Sequence, residues 1–496
     1  MKINIASNEV VHFIGIGGIG MSGLAQIMNN MGFNIQGSDL NRNKNTDRLI
    51  KSGIKVYFGH HQKNLNKATM IVISSAIKKD NGELIAARHK KLPVFKRGEM
   101  LANIVALKKN IVIAGSHGKT TTTSLVANIL EEARLDPTII NGGVINSLKN
   151  NAQLGKSEWA VIESDESDGS FLKLPITYSI VTNVDKEHLD FYGSFEKLKK
   201  SFCTFIEKTP SFGKSLICID NDILKSLLPK CKTLNFLTYG FDKRSNYQIT
   251  NVRKNKNYSI FDLKLKFPSK KTANIKNIVV NLIGDHNITN ATASIAIALN
   301  LGIKTSKIKK ALKKFLGIQR RFTKVFSVGK REFYDDYAHH PTEIKAVINS
   351  ARQVYEDRKI ICVFQPHRYS RVKSLKNEFA SSFKSSDAVV LCPVYSAGEK
   401  ETYNFNQDNF FEAQILYPFQ MFEDDMVLVY ILWESSNGQD IWRLMPQTVN
   451  FNDGSFLTYN FDFTLSDVFL FLDGNTNLNT LPPEYTQNQI FRIVVV

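Results

Sequence analysis

The segment Gly115-Ser116-His117-Gly118-Lys119-Thr120 lies between the apolar run Ile111-Val112-Ile113-Ala114 and a helix-like run from Thr121 to Leu130. A glycine-rich turn at such a junction aims backbone N–H groups at whatever sits over the helix start, where the helix dipole favours an anion. Lys119 adds positive charge for a transferring phosphoryl group, and Thr120 adds a hydroxyl for Mg²⁺. The chain is therefore read as an α/β protein that binds a nucleoside triphosphate, with Gly115, Ser116, His117, Gly118, Lys119, Thr120 and Thr121 as the ATP loop. Ile113 stands where the common phosphate loop has glycine, so this loop is shorter.

An earlier stretch repeats the order of strand, glycines and helix. Val10 to Ile14 reads as a strand, Gly15-Ile16-Gly17-Gly18-Ile19-Gly20 as a loop, and Met21 to Met31 as an apolar-periodic helix. Phe33 to Gly37 reads as a second strand, leading to Ser38 and Asp39. The glycines permit a tight turn and close approach to a pyrophosphate, and the carboxylate roughly 20 residues on suits a ribose hydroxyl. Lys55 to Phe58 and Met70 to Ile73 continue the alternation, which predicts a parallel sheet with crossover helices. A nicotinamide-dependent dehydrogenase would use such a loop, but that reading leaves the second loop unexplained.

Asn110 to Ala114 opens a second α/β block, with strands predicted near Trp159 to Glu163, Tyr178 to Thr182 and Ser215 to Ile219, and an Ala-rich helix from Gly284 to Leu299. Glu163-Ser164-Asp165-Glu166-Ser167-Asp168 puts four carboxylates at a strand's end, and His188 lies in Asp185-Lys186-Glu187-His188 after the next strand. Beside a phosphate loop, strand-end carboxylates are suitable Mg²⁺ ligands. A third block starts near Gly317, with strands predicted at Phe333 to Asp336, Lys359 to Phe364 and Ala388 to Cys392. Two polar clusters, Asp335 to Glu343 and Gln365 to Arg371, follow its strands and suit a carboxylate or phosphate. Zinc at His339-His340 is the weaker reading, because adjacent residues rarely ligate one metal.

Composition narrows the classes. The formal net charge of +18 comes from a Lys-rich sequence spread over helices and strands, which reads as a solvated surface and not as a nucleic-acid groove. Such a field gathers anionic nucleotides. Cys203, Cys218, Cys231, Cys362 and Cys392 form no CxxC pair, so reduced thiols and a cytoplasmic location are expected. No run reaches the roughly 18 apolar residues of a membrane helix, so no membrane insertion is expected.

The charge balance inverts near Glu401. Of 64 Lys+Arg, only Arg443 and Arg492 lie beyond it, together with twelve of the 46 Asp+Glu. Short strand-like runs follow, separated by Asn452-Asp453-Gly454 and Asp473-Gly474-Asn475 turns. The reading is a β-rich acidic tail unrelated to the rest, either a fused module or, preferably, a chimera of two genes.

Taken together, Gly15 to Gly23 with Met21-Ser22, Gly115 to Thr121, and Asp336-Tyr337-Ala338-His339-His340-Pro341 resemble the Mur ligases over residues 8–411. The resemblance implies a three-domain architecture: a Rossmann-like UDP-substrate domain (1–108), a P-loop ATPase-like central domain (109–316) and an incomplete Rossmann-like ligase domain (317–411), followed by the tail (412–496). It implies ATP and Mg²⁺ as cofactors and, from Gln365 to Arg371 and Gly20-Met21-Ser22-Gly23, ligation of L-alanine to UDP-N-acetylmuramate through an acyl phosphate. The alternatives are the recycling reaction with a tripeptide, or nucleotide binding without catalysis because the third domain is unfinished. A monomer or homodimer is expected.

By that resemblance, Gly15, Gly17, Gly18, Gly20, Ser38, Asp39, Ser74 and Ser75 meet the UDP substrate. Lys119, Glu163, His188, His339, Arg368 and Arg371 form the catalytic set, with His367 close by. Thr120, Glu163 and His188 are the implied metal ligands, and His286, Asn287, Asn290, Arg321 and Asp336 complete the ATP site. Glu187 and Gly98 depart from the family, which more usually has Asp and Ala there; both changes are expected to be neutral or mild.

Overall fold

Short apolar runs that alternate with amphipathic segments can bury themselves on both faces only in a helix-covered parallel sheet. The computed structural model describes residues 9–267, 272–392 and 394–396, and within the tail 412–416, 427–436, 439–450, 456–463, 467–474 and 491–495. Two compact units result, Met1–Tyr337 and Ala338–Val496.

The first unit begins with strands β1 (Val10–Ile14), β2 (Asn34–Asp39), β3 (Lys55–Phe58), β4 (Met70–Ile73) and β5 (Val94–Lys96), all parallel in the order β3-β2-β1-β4-β5. The central β1 buries Val11, Phe13 and Ile14, and helix Ile19–Asn30 covers the sheet with Met21, Leu24, Ile27 and Met28. That helix starts two residues before Met21, because Gly18 is extended and serves as its N-cap.

The second sheet contains β6 (Lys109–Ala114), β7 (Thr138–Ile145), β8 (Asn150–Gln153), β9 (Trp159–Glu163), β10 (Tyr178–Val181), β11 (Ser215–Cys218), β12 (Phe236–Gly240), β13 (Tyr247–Lys254), β14 (Ser259–Lys266) and β15 (Thr272–Val280). Their order is β15-β14-β13-β12-β11-β10-β6-β9-β7-β8, parallel from β13 to β7 and antiparallel at both ends. The expected strands β6, β9, β10 and β11 are present, and so is the Ala-rich helix, at Asp285–Asn300. β7 and β13 to β15 escape a reading by apolar runs. β7 carries two glycines, and β13 to β15 form a Lys-rich meander with one face in water.

Beneath the acidic segment after β9, Phe171 is fully buried, with its ring 5.3 Å from Phe202 and 5.2 Å from Phe205 on helix Phe195–Glu207. The same helix carries Cys203, bonded to Cys231, so the expectation of five separate thiols is corrected. Their Cα atoms lie 5.4 Å apart, a closeness that sequence spacing does not reveal. Gly98 is a second correction. A Cβ there would lie 2.5 Å from Ser170 Cβ, so alanine is not a neutral exchange in this chain. The antiparallel pair β16 (Thr323–Val328) and β17 (Arg331–Asp335) ends the unit.

In the second unit, β18 (Ile361–Phe364) and β19 (Ala388–Leu391) form a two-stranded parallel sheet. Phe364 packs with Ile344, Ile348, Leu375 and Phe379, while Ile361, Val363 and Leu391 stay exposed. Among the described residues this sheet has two strands. The described residues of the tail form antiparallel β-strands: Glu412–Leu416, Asp467–Gly474, Phe456–Phe463 and Gln447–Asn450 in one sheet, and Gln439–Leu444, Val427–Ser436 and Phe491–Val495 in another. The Asn452-Asp453-Gly454 turn and Asn475 lie outside the described residues.

Two outcomes follow. Phe171→Ala empties an aromatic site and should destabilise the first unit by about 3–5 kcal/mol, read from urea denaturation. Asp387 accepts from Ile360 N at 2.6 Å and pairs with Arg352. Burial alone would raise its pKa, but these partners outweigh burial and hold it below the ordinary value. Its contribution is therefore present above the unfolded pKa and lost as pH falls through the folded one. Asp387→Asn should lower the second unit's thermal midpoint at pH 7, with the gap to wild type closing below about pH 4.

Candidate active site

Because β6 lies between β10 and β9, with all three parallel, their C-terminal ends open onto one edge. The phosphate loop leaves β6 there. Gly115 has φ +134°, and a Cβ would lie 2.1 Å from Thr182 Oγ1; Gly118 has φ +82°, and a Cβ would lie 2.7 Å from Asn290 Oδ1. Only glycine fits either position. The segment after β10 holds the loop from beside it. Ser116 N donates to Asn183 O at 3.0 Å, His117 N to Asn183 Oδ1 at 2.8 Å, and Asp185 N to Ser116 Oγ at 2.8 Å. Gly118 caps helix Lys119–Glu132, whose first turn has no acidic residue to oppose an anion.

Lys119 Nζ donates to Glu166 Oε1 at 2.6 Å, to Gly115 O at 2.5 Å and to Ser116 O at 3.1 Å. Burial alone would depress this ammonium, but Glu166, Glu163 and Glu187 outweigh it and push its pKa up. For Glu166 burial wins despite Lys119, and its pKa is raised to about 7. The two shifts pull opposite ways on one ion pair. The direction that holds is a charged Lys119, because three carboxylates face it. Glu166 Oε2 is buried with no hydrogen bond among the described residues.

Glu163, the last residue of β9, accepts from Thr120 Oγ1 at 3.0 Å and from Gly142 N at 2.6 Å. A Cβ on Gly142 would lie 2.6 Å from Glu163 Oε1, and one on Gly143 2.8 Å from Thr120 Cγ2. His188, at φ +55°, stands 3.8 Å from Glu166 Oε1 and clusters with Glu166 and Glu187. An oxygen-rich donor set, an orphaned carboxylate oxygen and a glycine cradle together fit a hard cation and a phosphate chain.

The first glycine loop is built in the same way. Gly15 N and Ile16 N donate to Ser38 O at 2.8 and 2.9 Å, and Gly17 N donates to Asp39 Oδ2 at 2.7 Å. Asp39 thus caps the loop, and Ser38 is fully buried beneath it. Ser74 lies 3.2 Å from where a Gly15 Cβ would sit, and Ser75 is exposed. Arg97 runs along Gly20 and pairs with Asp165 at 2.7 Å, joining the edges of the two loops.

Three family models match in chain order: the Mur ligase family catalytic domain over residues 10–109, the Mur ligase middle domain over 113–298, and the Mur ligase glutamate ligase domain over 320–416. The chain belongs to the Mur ligase family. It is 58% identical over 410 residues to the UDP-N-acetylmuramate–L-alanine ligase of Pelagibacter ubique, covering 83% of this chain and 88% of that protein. Identity to the enzyme of the same name from Agrobacterium fabrum is 47% over 393 residues, covering 79% and 83%. The crystal structure of UDP-N-acetylmuramate-alanine ligase from Thermotoga maritima superposes with a TM-score of 0.68 at 29% identity, over 78% of this chain and 86% of that one.

In this Mur ligase, His286, Asn287 and Asn290 start helix Asp285–Asn300, and Asn290 abuts Gly118. Asp336 accepts from Phe322 N at 2.7 Å at the base of the β16–β17 hairpin, and the Arg321 guanidinium lies 5.9 Å from the Tyr337 ring. In the second unit, the rings of His339 and His367 are 5.6 Å apart, and Arg371 Nη1 is 3.5 Å from His367 Nδ1. Arg368, at φ +70°, is bonded through its N to Tyr395 O at 2.8 Å. His340 caps helix Pro341–Val354, its Nδ1 accepting from Thr342 N at 3.3 Å. Asn183, Gly142 and Arg97 escape the sequence reading, and Glu166 enters it only as one of four strand-end carboxylates. Their signal lies in the strand order, which brings distant strand ends together.

Gly142→Ala should push the Glu163 carboxylate aside. We expect the Mg²⁺ concentration for half-maximal ATP turnover to rise, with turnover falling on the order of 100-fold, as displacements near 1 Å can do. A thermal midpoint close to wild type would confirm that the effect is local.

Proposed function

We propose that this Mur ligase joins L-alanine to UDP-N-acetylmuramate with conversion of ATP to ADP and phosphate, a step of peptidoglycan precursor synthesis. The observation that carries the reading is the seating of Lys119, Thr120 and Glu163 at adjoining strand ends, in a chain so similar to L-alanine ligases. A carboxylate is a poor electrophile until its oxygen becomes part of a better leaving group. Transfer of the ATP γ-phosphoryl to the lactoyl carboxylate gives an acyl phosphate. The amine of L-alanine then attacks the acyl carbon, phosphate departs, and the amine loses a proton.

The chain's own residues supply the positioning. The Gly115 to Thr121 loop holds the phosphates, and Lys119 exchanges Glu166 for the incoming anion and neutralises charge as it develops. Thr120 and Glu163 would hold Mg²⁺, with His188 beside Glu166; the metal would supply Lewis-acid stabilisation of the phosphoryl oxygens. His286, Asn287, Asn290, Arg321 and Asp336 are assigned to the nucleotide. Gly15, Gly17, Gly18, Gly20, Asp39, Ser74 and Ser75 are assigned to the UDP substrate, and Ser38 to the same site through the loop amides that its carbonyl holds. In the second unit, Arg368 and Arg371 offer guanidinium groups to a carboxylate, with His339 and His367 adjacent.

We retain the division at residues 108, 316 and 411, and we assign a cytoplasmic, monomeric or homodimeric enzyme without a nucleic-acid partner. Among the described residues, no helix is long and apolar enough to cross a membrane.

The decisive assay follows ADP release with UDP-N-acetylmuramate and either L-alanine or the free tripeptide. Turnover with L-alanine is expected. Turnover with the tripeptide alone would assign the recycling reaction, and ligand binding without ligation would assign a non-catalytic protein. Lys119→Ala should lower turnover by roughly 100- to 1,000-fold or more, as loss of one charge-stabilising donor does. Near-normal activity in that variant would remove the assignment.

A further inference from the structure

The first sheet buries a charge that the reaction does not use. Glu83, on helix Gly82–His89, is fully buried, and its amide is capped by Asn81 Oδ1 at 3.0 Å. Its carboxylate gathers three donors, with His60 close by. Oε2 accepts from Ser38 Oγ at 2.5 Å and lies 3.3 Å from His12 Nε2 and 3.4 Å from His60 Nδ1. Oε1 accepts from Asn64 Nδ2 at 2.6 Å. Behind these, Gln36 Nε2 lies 3.2 Å from His12 Nδ1 and donates to Asn64 O at 2.9 Å. With the Ser38 hydroxyl donating to Glu83, the Ser38 oxygen takes the Nδ1–H of His60 at 2.9 Å.

A buried carboxylate is expensive unless every lone pair is answered, and a well-packed apolar residue would serve stability as well. What distinguishes this one is where its hydrogen bonds lead. Ser38, held through its hydroxyl, offers its carbonyl to both Gly15 N and Ile16 N, the first two amides of the glycine loop. The next residue, Asp39, holds Gly17 N. The loop thus rests on a two-residue seat, and Glu83 fixes the side chain of one of them. Burial alone would raise the Glu83 pKa, but the bonds from His12, Ser38 and Asn64 pull it below the ordinary value, so the seat is anchored by an anion.

We propose that Glu83 is a positioning residue for the UDP-sugar substrate, acting through Ser38 and His60 on the Gly15 to Gly20 loop. The proposal rests on the function assigned above. It excludes contact between Glu83 and substrate, because the carboxylate is enclosed and committed to His12, Ser38 and Asn64.

Steady-state kinetics with Glu83→Gln, which keeps shape but loses charge, provide the test. The KM for UDP-N-acetylmuramate should rise about tenfold or more, the effect of weakening a hydrogen bond to a charged group. The kcat and the KM for ATP should stay within about twofold of wild type by the same reasoning. Ser38→Ala should show the same split, and the double variant should be no worse than the poorer single one, because both cut one link. An unchanged KM for UDP-N-acetylmuramate in folded Glu83→Gln, or equal losses toward both nucleotides, overturns the role. Should Glu83→Gln fail to fold, Ser38→Ala decides alone, and an unchanged KM there overturns the proposal. Calorimetry with UDP-N-acetylmuramate and wild-type protein separates the two readings. Absence of binding overturns the assigned function and this role together, whereas binding with an unshifted KM in the variant overturns only the role.

Discussion

The parallel pairing of β6 with β10 on one side and β9 on the other is the constraint on which the candidate site depends. Parallel strands point their C-terminal ends the same way, so three segments distant in sequence leave the sheet at one edge. The phosphate loop, the Asn183 to His188 segment and the Glu163 to Asp168 segment meet there for that reason. Without that strand order, Lys119, Glu163 and Glu166 would be separate charges on separate loops. With it, they form one buried electrostatic unit.

Burying those charges sets the character of the site. Lys119 is held by Glu166 and two loop carbonyls, and Glu166 keeps one buried oxygen without a partner among the described residues. Such an arrangement is balanced without being saturated. An arriving phosphate chain offers Lys119 a stronger anion, and a cation offers the carboxylates a stronger partner. The first sheet solves the opposite problem at Glu83, where donors from His12, Ser38 and Asn64 answer a buried carboxylate and tie it to the seat of the first loop.

Much of this was legible in the residues. Both glycine loops, the helices that follow them and the strand-end carboxylates are local patterns, and local patterns survive in sequence. His339 lies in one polar cluster of the sequence and His367 and Arg371 in another, and the second unit brings them together. Other features were not legible, for stated reasons. β7 hides behind its own glycines, yet Gly142 N holds Glu163, and a side chain there would displace that carboxylate. Ser38 looked like a substrate contact, but its side chain points into a buried network. Gly98 looked exchangeable for alanine until Ser170, far along the chain, was found against it.

The sequence by itself determined the class of ligand and the chemistry available. Glycines at positive φ, one lysine, one threonine and a run of carboxylates have these properties wherever they fold, because they are properties of the residues. It also marked the change near residue 401, since charge composition needs no coordinates. Only the tertiary structure decided which carboxylate each group answers: Glu166 for Lys119, Glu163 for Thr120 and Glu83 for Ser38. Those pairings depend on strand order and register, and register is set by packing among residues many tens of positions apart.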